Sequence, residues 1–158
     1  MTTPNGTAPS RPSPLAPLPG ARFILGVLIF GSVAYTAYWV VWFGIDRELL
    51  ASAHTESYYA FENAFPLADA WTVLAGIAAA VTLVKRRAST LIWSTAAGST
   101  SIFLGLVDVL FDLENGIYRS PDTGAVAVEI VINVLTIALG VVVVAWAWSQ
   151  RRALMSLR

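Results

Sequence analysis

The sequence predicts an all-α integral membrane protein, with four transmembrane helices in an antiparallel up-down-up-down bundle. Of the 158 residues, 56% are hydrophobic and only 13% are charged, whereas a soluble domain carries about a quarter charged residues. The apolar residues collect in four runs, and each run reaches the length of about 20 residues that crosses a hydrocarbon core. The runs occupy residues 22–43, 64–84, 90–111 and 124–148.

Three regions follow from this pattern. Residues 1–21 hold six of the eight prolines, and such a segment cannot bury a core, so we predict a disordered cytoplasmic tail. Residues 22–150 form the four-helix membrane domain, and residues 151–158 form a basic cytoplasmic end. The chain has no cysteine, which excludes disulfides and thiolate metal ligands.

The distribution of basic residues predicts the orientation. Eight of the ten lie in the tail, in the turn near residue 86 and at the C-terminal end, and only Arg47 and Arg119 lie on the other side. Basic residues concentrate in cytoplasmic loops. We therefore expect a multi-pass protein of the cell membrane with both termini in the cytoplasm.

Small and polar residues at helical spacing predict which helix faces pack inside the bundle. In lipid, helices associate through small residues and polar contacts. Each of the four runs carries one such stripe, with larger apolar residues on its other faces. In chain order the stripes are Ser32, Tyr35, Thr36, Trp39, Phe43 and Asp46; Glu62, Asp69, Thr72, Gly76 and Ala80; Ser94, Gly98, Ser101, Gly105, Asp108 and Asp112; and Glu129, Asn133, Thr136 and Gly140.

Carboxylates in these stripes form the candidate polar site. Pro66 is suited to the first position of a helix, which places Asp69 about 5 Å along that helix at 1.5 Å per residue. Asp108 and Glu129 reach the same depth from the third and fourth runs. Ionisable residues inside a membrane are rare and tend to mark functional sites. The candidate residues are Glu62, Asp69, Asp108, Asp112, Glu129 and Asn133.

Each acid also has a purely structural interpretation. Glu62 can be an interfacial loop acid, and Asp69 and Glu129 lie near helix N-termini, where the helix dipole favours negative charge. Asp108 and Asp112 lie near a helix C-terminus, where the dipole disfavours it, although Asp112 is nearer to water. A hydrogen bond to Asp108 from Tyr35, Thr72 or Asn133 would give it a structural role, and a chemical role stays equally open.

Acids at one depth repel each other unless something neutralises them. The candidates are protons, a bound cation, or Arg47 and Arg119 folding in from the loops. No cofactor is predicted beyond a divalent cation, with Asp69, Asp108 and Glu129 as its ligands. Oxygen ligands suit Ca²⁺, Mg²⁺ or Mn²⁺ better than zinc. His54, the one histidine, is interpreted as a loop residue.

The sequence contains the stretch "FENAFPLADAW", a basic turn after it, and the stretches "GLVDVLFDLENGIY" and "EIVINVL". In these features it resembles small bacterial membrane proteins with four transmembrane helices. The resemblance covers about residues 35–148. It implies a bundle with both termini inside and implies no activity. A more distant similarity is to the sterol-isomerase and sigma-2-receptor type of bundle, which places acids in a lipid-facing cavity. Matching histidine and tryptophan positions are absent, so no residue is carried over.

Three classes of function follow, in this order. The first is an accessory or structural membrane protein, whose acids are hydrogen-bonded and whose partner is a second copy or another membrane protein. The second is a transport or sensing module that holds a cation or proton at Asp69, Asp108 and Glu129. The third is a membrane enzyme that uses paired carboxylates on a lipid or isoprenoid. No phosphate-binding or nucleophile motif is present, and no nucleic-acid partner is expected.

Overall fold

The computed structural model describes residues 18–157, and all the regular structure in this range is helical. Four helices are long and apolar enough to cross a membrane, which confirms the all-helical class and the prediction of four candidate membrane spans. They are α1 (Ala21–Gly44), α3 (Pro66–Val84), α4 (Thr90–Glu114) and α5 (Thr123–Ser149). Residues 1–17, which make up most of the predicted tail, lie outside the described residues.

Shorter elements connect the long helices. After α1 come a 3-10 turn, Arg47–Leu49, and a two-turn helix, α2 (Glu56–Glu62). A second 3-10 turn, Ile117–Arg119, follows α4, and α6 (Arg151–Met155) ends the described chain. The loop between α1 and α3 therefore contains two separate short helical pieces.

Local chemistry determines where these elements begin. Asp46 Oδ1 accepts a hydrogen bond from Glu48 N at 2.9 Å and starts the first 3-10 turn. Thr55 Oγ1 accepts from Tyr58 N at 3.2 Å and caps α2. Pro66 is the first residue of α3, as its missing N–H predicts.

The long helices pack in sequence order: α1 on α3, α3 on α4 and α4 on α5. Contacts along α1 and α3 run in opposite directions, since Trp39 meets Asp69 near one end and Ser32 lies beside Gly76 further along. We call the end of the bundle where α1 finishes and α3 begins the carboxylate end. The opposite end, with the turn at residues 85–89, is the basic end. In contrast to these three pairs, α1 and α5 make few contacts.

Close backbone approach explains the tight α4–α5 pair. A Cβ atom added to Gly98 would lie 2.7 Å from the Gly140 carbonyl oxygen, and one added to Gly140 would lie 2.7 Å from the Gly98 carbonyl oxygen. Ser101 Oγ donates to the Thr136 carbonyl oxygen at 2.9 Å between the same two helices. Small residues therefore bring the two backbones together, as expected for helices in lipid.

The predicted interior stripes fit three helices and fail in part on the first. On α4, Ser94, Gly98, Ser101, Gly105 and Asp112 are all buried. On α1, by contrast, Thr36 and Phe43 are exposed, as is Asp46 just after the helix, and the buried residues of α1 are Ile24, Leu28 and Trp42. The stripe on α1 was partly wrong because this helix packs mainly on α3 and presents most of its surface outward.

Candidate functional site

A cap of loop residues closes the carboxylate end over the acids. Trp42, Tyr58 and Ile117 form a small buried cluster there. Tyr58 Oη accepts a hydrogen bond from Ser52 N at 3.2 Å, which fixes the loop before α2. Ser52 Oγ in turn donates to Glu129 Oε2. The loop thus supplies a donor to a carboxylate 77 positions further along the chain.

Two acids at the start of the second span bond to aromatic residues of α1. Tyr38 Oη donates to Glu62 Oε2 at 2.9 Å, and Trp39 Nε1 donates to Asp69 Oδ2 at 2.8 Å. Both acids are buried, each 7% exposed. The other oxygen of Asp69, Oδ1, is buried without a hydrogen-bond partner. Glu62 is therefore a buried acid at the end of α2 and not an interfacial loop acid.

Three further acids meet where α4 faces α5. Asp108, Asp112 and Glu129 each bring a carboxylate oxygen within 4.8 Å of the others, and we call them the acidic trio. Asn133 Nδ2 donates to Asp112 Oδ2 at 2.9 Å. Asp112 Oδ1 and Asn133 Oδ1 are both buried and have no hydrogen-bond partner.

Tyr118 joins the trio from the loop after α4. Its hydroxyl oxygen accepts a hydrogen bond from Asn133 Nδ2 at 3.0 Å. Burial, together with the neighbouring Asp112 carboxylate, raises the pKa of the Tyr118 phenol to about 12. The phenol is therefore neutral at physiological pH.

The structure assigns other partners to the groups that could have held Asp108 in place. Tyr35 Oη lies 3.3 Å from Ser101 Oγ, and Thr72 Oγ1 donates to the Ala68 carbonyl oxygen at 3.0 Å. Asn133 bonds to Asp112 and Tyr118, as described above. None of the three structural partners expected for Asp108 binds it.

Basic side chains of the loops do not neutralise the acids. Arg47 Nε lies 3.7 Å from Glu48 Oε1, and its guanidinium lies over the Tyr59 ring at 4.3 Å. His54 Nδ1 lies 2.8 Å from Glu48 Oε2, away from the acids. Arg119 is exposed at the end of its 3-10 turn.

A cleft between α1 and α5 leads to the carboxylates. Its outer cavity, of about 420 Å³, is lined by Glu62, Asp69, Asp108 and Glu129 together with aromatic and apolar residues. Its inner cavity, of about 260 Å³, is almost wholly apolar. The two cavities share Ala34, Tyr35, Ile132 and Thr136, and we call them together the α1–α5 cleft.

The cleft is open on the side where α1 and α5 do not meet. Residues on both rims are exposed: Phe30 of α1 by 58% of its surface and Leu135 of α5 by 45%. α4 forms the floor through Gly98, Ser101 and Gly105. Both rims belong to apolar helices that are long enough to span a membrane.

The structure brings the sequence-predicted residues together in two overlapping groups. Four of the five acids line the outer cavity, and Asp108 and Glu129 also belong to the acidic trio. Asp112 stands in that trio where the sequence proposed Asp69, which instead bonds to Trp39. Ser52 and Tyr118 were missed. Both reach the acids from loops, and no periodic pattern marks a loop residue.

The fold and the site together define a class: a helical protein with four candidate membrane-spanning helices and a polar site at the end of a lateral cleft. Comparison of the chain with protein-family models, with curated proteins and with solved structures finds no match. The resemblance to small bacterial four-helix proteins therefore stays a prediction. The function has to be inferred from the cleft and the acids.

Proposed function

We propose that this chain is a cell-membrane protein that binds an amphipathic molecule from the bilayer in the α1–α5 cleft. The observation that carries the proposal is the course of the cleft, which opens between two apolar helices and ends on carboxylates. Ligand sites in proteins are typically cavities of about 300–1,000 Å³, mostly apolar with a few convergent polar groups. The cleft fits this description.

The two ends of the cleft suit the two parts of such a molecule. Val27, Leu28, Leu139 and Val143 line the inner cavity and would contact a hydrocarbon tail. The polar group would lie in the outer cavity, where Asp69 Oδ1 is buried without a partner. Buried polar atoms nearly always have a hydrogen-bond partner. A hydroxyl or amine donor on the ligand would supply the partner that Asp69 lacks.

Binding of an amphipathic molecule is closest to the third class, the membrane enzyme. We prefer it to the first class, the accessory or structural protein. An enzyme acting on a lipid or isoprenoid needs a lipid-accessible cavity that reaches its acids, and the cleft meets that need. A purely structural role for the acids explains their hydrogen bonds but does not explain the cavity that they line. Binding is the step that both an enzyme and a receptor require, so the proposal commits to binding.

The proposed topology is up-down-up-down, with both termini in the cytoplasm and the carboxylate end on the outer side. It is supported by the basic residues at the turn near residue 86 and at the C-terminal end. The ligand would then enter from the bilayer and present its polar group in the outer leaflet.

A matched pair of glycine variants tests the cleft. Gly31 lines the inner cavity, and a Cβ atom there would meet nothing within 4 Å. Gly26, on the same helix, has equal space and lies outside the cleft. Gly31→Phe should therefore fill the cleft without distorting α1, and Gly26→Phe adds the same ring elsewhere.

The probe is a long-chain alcohol that carries a photoactivatable diazirine, added to the purified protein in phosphatidylcholine nanodiscs. We expect cross-links, mapped by mass spectrometry, at residues such as Ala34 and Ile132 in the wild type and in Gly26→Phe. Gly31→Phe should lose most of them. Cross-links spread evenly over all lipid-facing surfaces, or equal labelling of both variants, would contradict the proposal and return the accessory class to first place.

A further inference from the structure

Beside the cleft, the contact between α4 and α5 has the features of a metal centre. We propose that Asp108, Asp112, Glu129 and Asn133 hold one divalent metal cation of the oxygen-binding kind, such as Ca²⁺, Mg²⁺ or Mn²⁺. Asp112 and Asn133 do not line the cleft. The proposal therefore does not rest on the ligand proposed above.

The charge of the acidic trio is the first argument. Its carboxylate oxygens lie within 4.8 Å of one another, and Asp112 and Glu129 are 0% and 5% exposed. Buried charges need a counter-charge close by. In the part of the chain that the structure describes, Arg47 forms an ion pair with Glu48, and His54 Nδ1 also contacts Glu48. A divalent cation would supply the missing positive charge.

Two unpartnered oxygens provide the second, independent argument. Asp112 is fully buried and Asn133 is 2% exposed, yet Oδ1 of each lacks a hydrogen-bond partner. The nitrogen of Asn133 already donates to Asp112 and to Tyr118, so its carboxamide is held against the trio. A metal ion accepts lone pairs from such oxygens and would satisfy both of them.

The donor set decides the kind of metal. All the candidate donors are carboxylate or carboxamide oxygens, which suit Ca²⁺, Mg²⁺ and Mn²⁺, whereas zinc and copper prefer nitrogen or sulfur. Asp108 and Asp112 are one helical turn apart on α4 and Glu129 and Asn133 one turn apart on α5. A cation between them would join the two helices and, through Ser52 and Glu129, the loop as well.

Terbium luminescence tests the site in the full-length protein in detergent. Tb³⁺ replaces Ca²⁺ at oxygen sites and is excited by nearby aromatic side chains. Tyr118 is suited to this role because its hydroxyl contacts Asn133. We expect a saturable signal in the wild type that Ca²⁺ displaces.

Paired charge-removing variants locate the signal. Glu129→Gln and Asp112→Asn should weaken terbium binding at least about tenfold. Glu114→Gln, which removes the same charge from an exposed position at the end of α4, should bind as the wild type does. An equal loss in Glu114→Gln and Glu129→Gln would mean that terbium binds surface acids, and would overturn the proposal.

If the buried variants do not fold, Asp108→Asn serves instead, since Asp108 is only partly buried. It should show the same weakening of at least about tenfold. Unchanged binding in Asp108→Asn, or no saturable signal in the wild type, would contradict the metal site. Protons would then neutralise the trio.

Discussion

Each of three buried acids depends on one donor from a distant part of the chain. Trp39 donates to Asp69, Tyr38 to Glu62 and Ser52 to Glu129. A hydrogen bond to a charged group contributes about 1.5–3 kcal/mol, more than one between neutral groups. These single donors therefore set much of the local stability at the carboxylate end.

Trp39→Phe tests this dependence. The variant keeps an aromatic ring but removes the hydrogen bond to Asp69 Oδ2, so neither carboxylate oxygen of Asp69 then has a partner. We expect it to lower the free energy of unfolding by about 1–3 kcal/mol. Trp148→Phe, at a position that is 65% exposed, should change it little. The measurement is unfolding in detergent.

A double-mutant cycle with Asp69→Leu separates the hydrogen bond from the loss of ring size. The two substitutions should couple by about 1 kcal/mol or more. Strictly additive effects would show that Trp39 acts through packing alone.

At the residue scale, the sequence was informative where a residue sits on a helix. Periodicity placed Trp39 and Asp69 on facing stripes, and the structure joins them at 2.8 Å. It could not place Ser52, because a contact across 77 positions depends on how the loop folds. Depth along a helix also does not specify which helices meet, so the sequence proposed Asp69 where the structure has Asp112 in the acidic trio.

At the element scale, the α4–α5 pair is the most closely packed part of the bundle. Gly98 and Gly140 each face the other's carbonyl oxygen, so neither position has space for a methyl group. The stripe of small residues on α4 predicted that this face of the helix packs inside the bundle, but not that α5 is its partner. The stripe on α1 was partly wrong, because α1 has a close partner on only one side.

Gly98→Ala should therefore destabilise the protein, although alanine is the better helix former by about 0.8–1.0 kcal/mol. The added methyl group forces α4 and α5 apart, and overpacking of this kind costs about 1–3 kcal/mol. Gly26→Ala, where nothing lies within 4 Å, is the matched control and should be neutral or stabilising. The midpoint of thermal unfolding distinguishes them, and a Gly98→Ala midpoint at or above that of Gly26→Ala would disprove the packing argument.

At the scale of the whole molecule, three helix pairs close the bundle and the fourth side stays open. Composition alone predicted four membrane-spanning helices, since their length and hydropathy are properties of single segments. The opening between α1 and α5 was not predictable in this way. It depends on which helices meet, and stripes on single helices do not specify partners.

The proposed topology is testable because the chain has no native cysteine. Ser57 lies in α2 and Ser156 lies after α6, and both are exposed. Each can be replaced singly by cysteine. In intact cells, a membrane-impermeant maleimide should label Ser57→Cys only. Ser156→Cys and Ser10→Cys should react after permeabilisation, because the basic residues retain both termini in the cytoplasm. Labelling of Ser156→Cys in intact cells would show that the C-terminal end lies outside and would contradict the proposed orientation.

The open side of the bundle also determines the scale on which affinity should be expressed. A molecule that enters between α1 and α5 is dissolved in a hydrocarbon layer about 30 Å thick, and not in the surrounding water. The occupancy of the cleft then depends on the mole fraction of this molecule among the lipids. Diluting the cells or vesicles would leave the site filled, whereas adding inert lipid at constant protein would empty it.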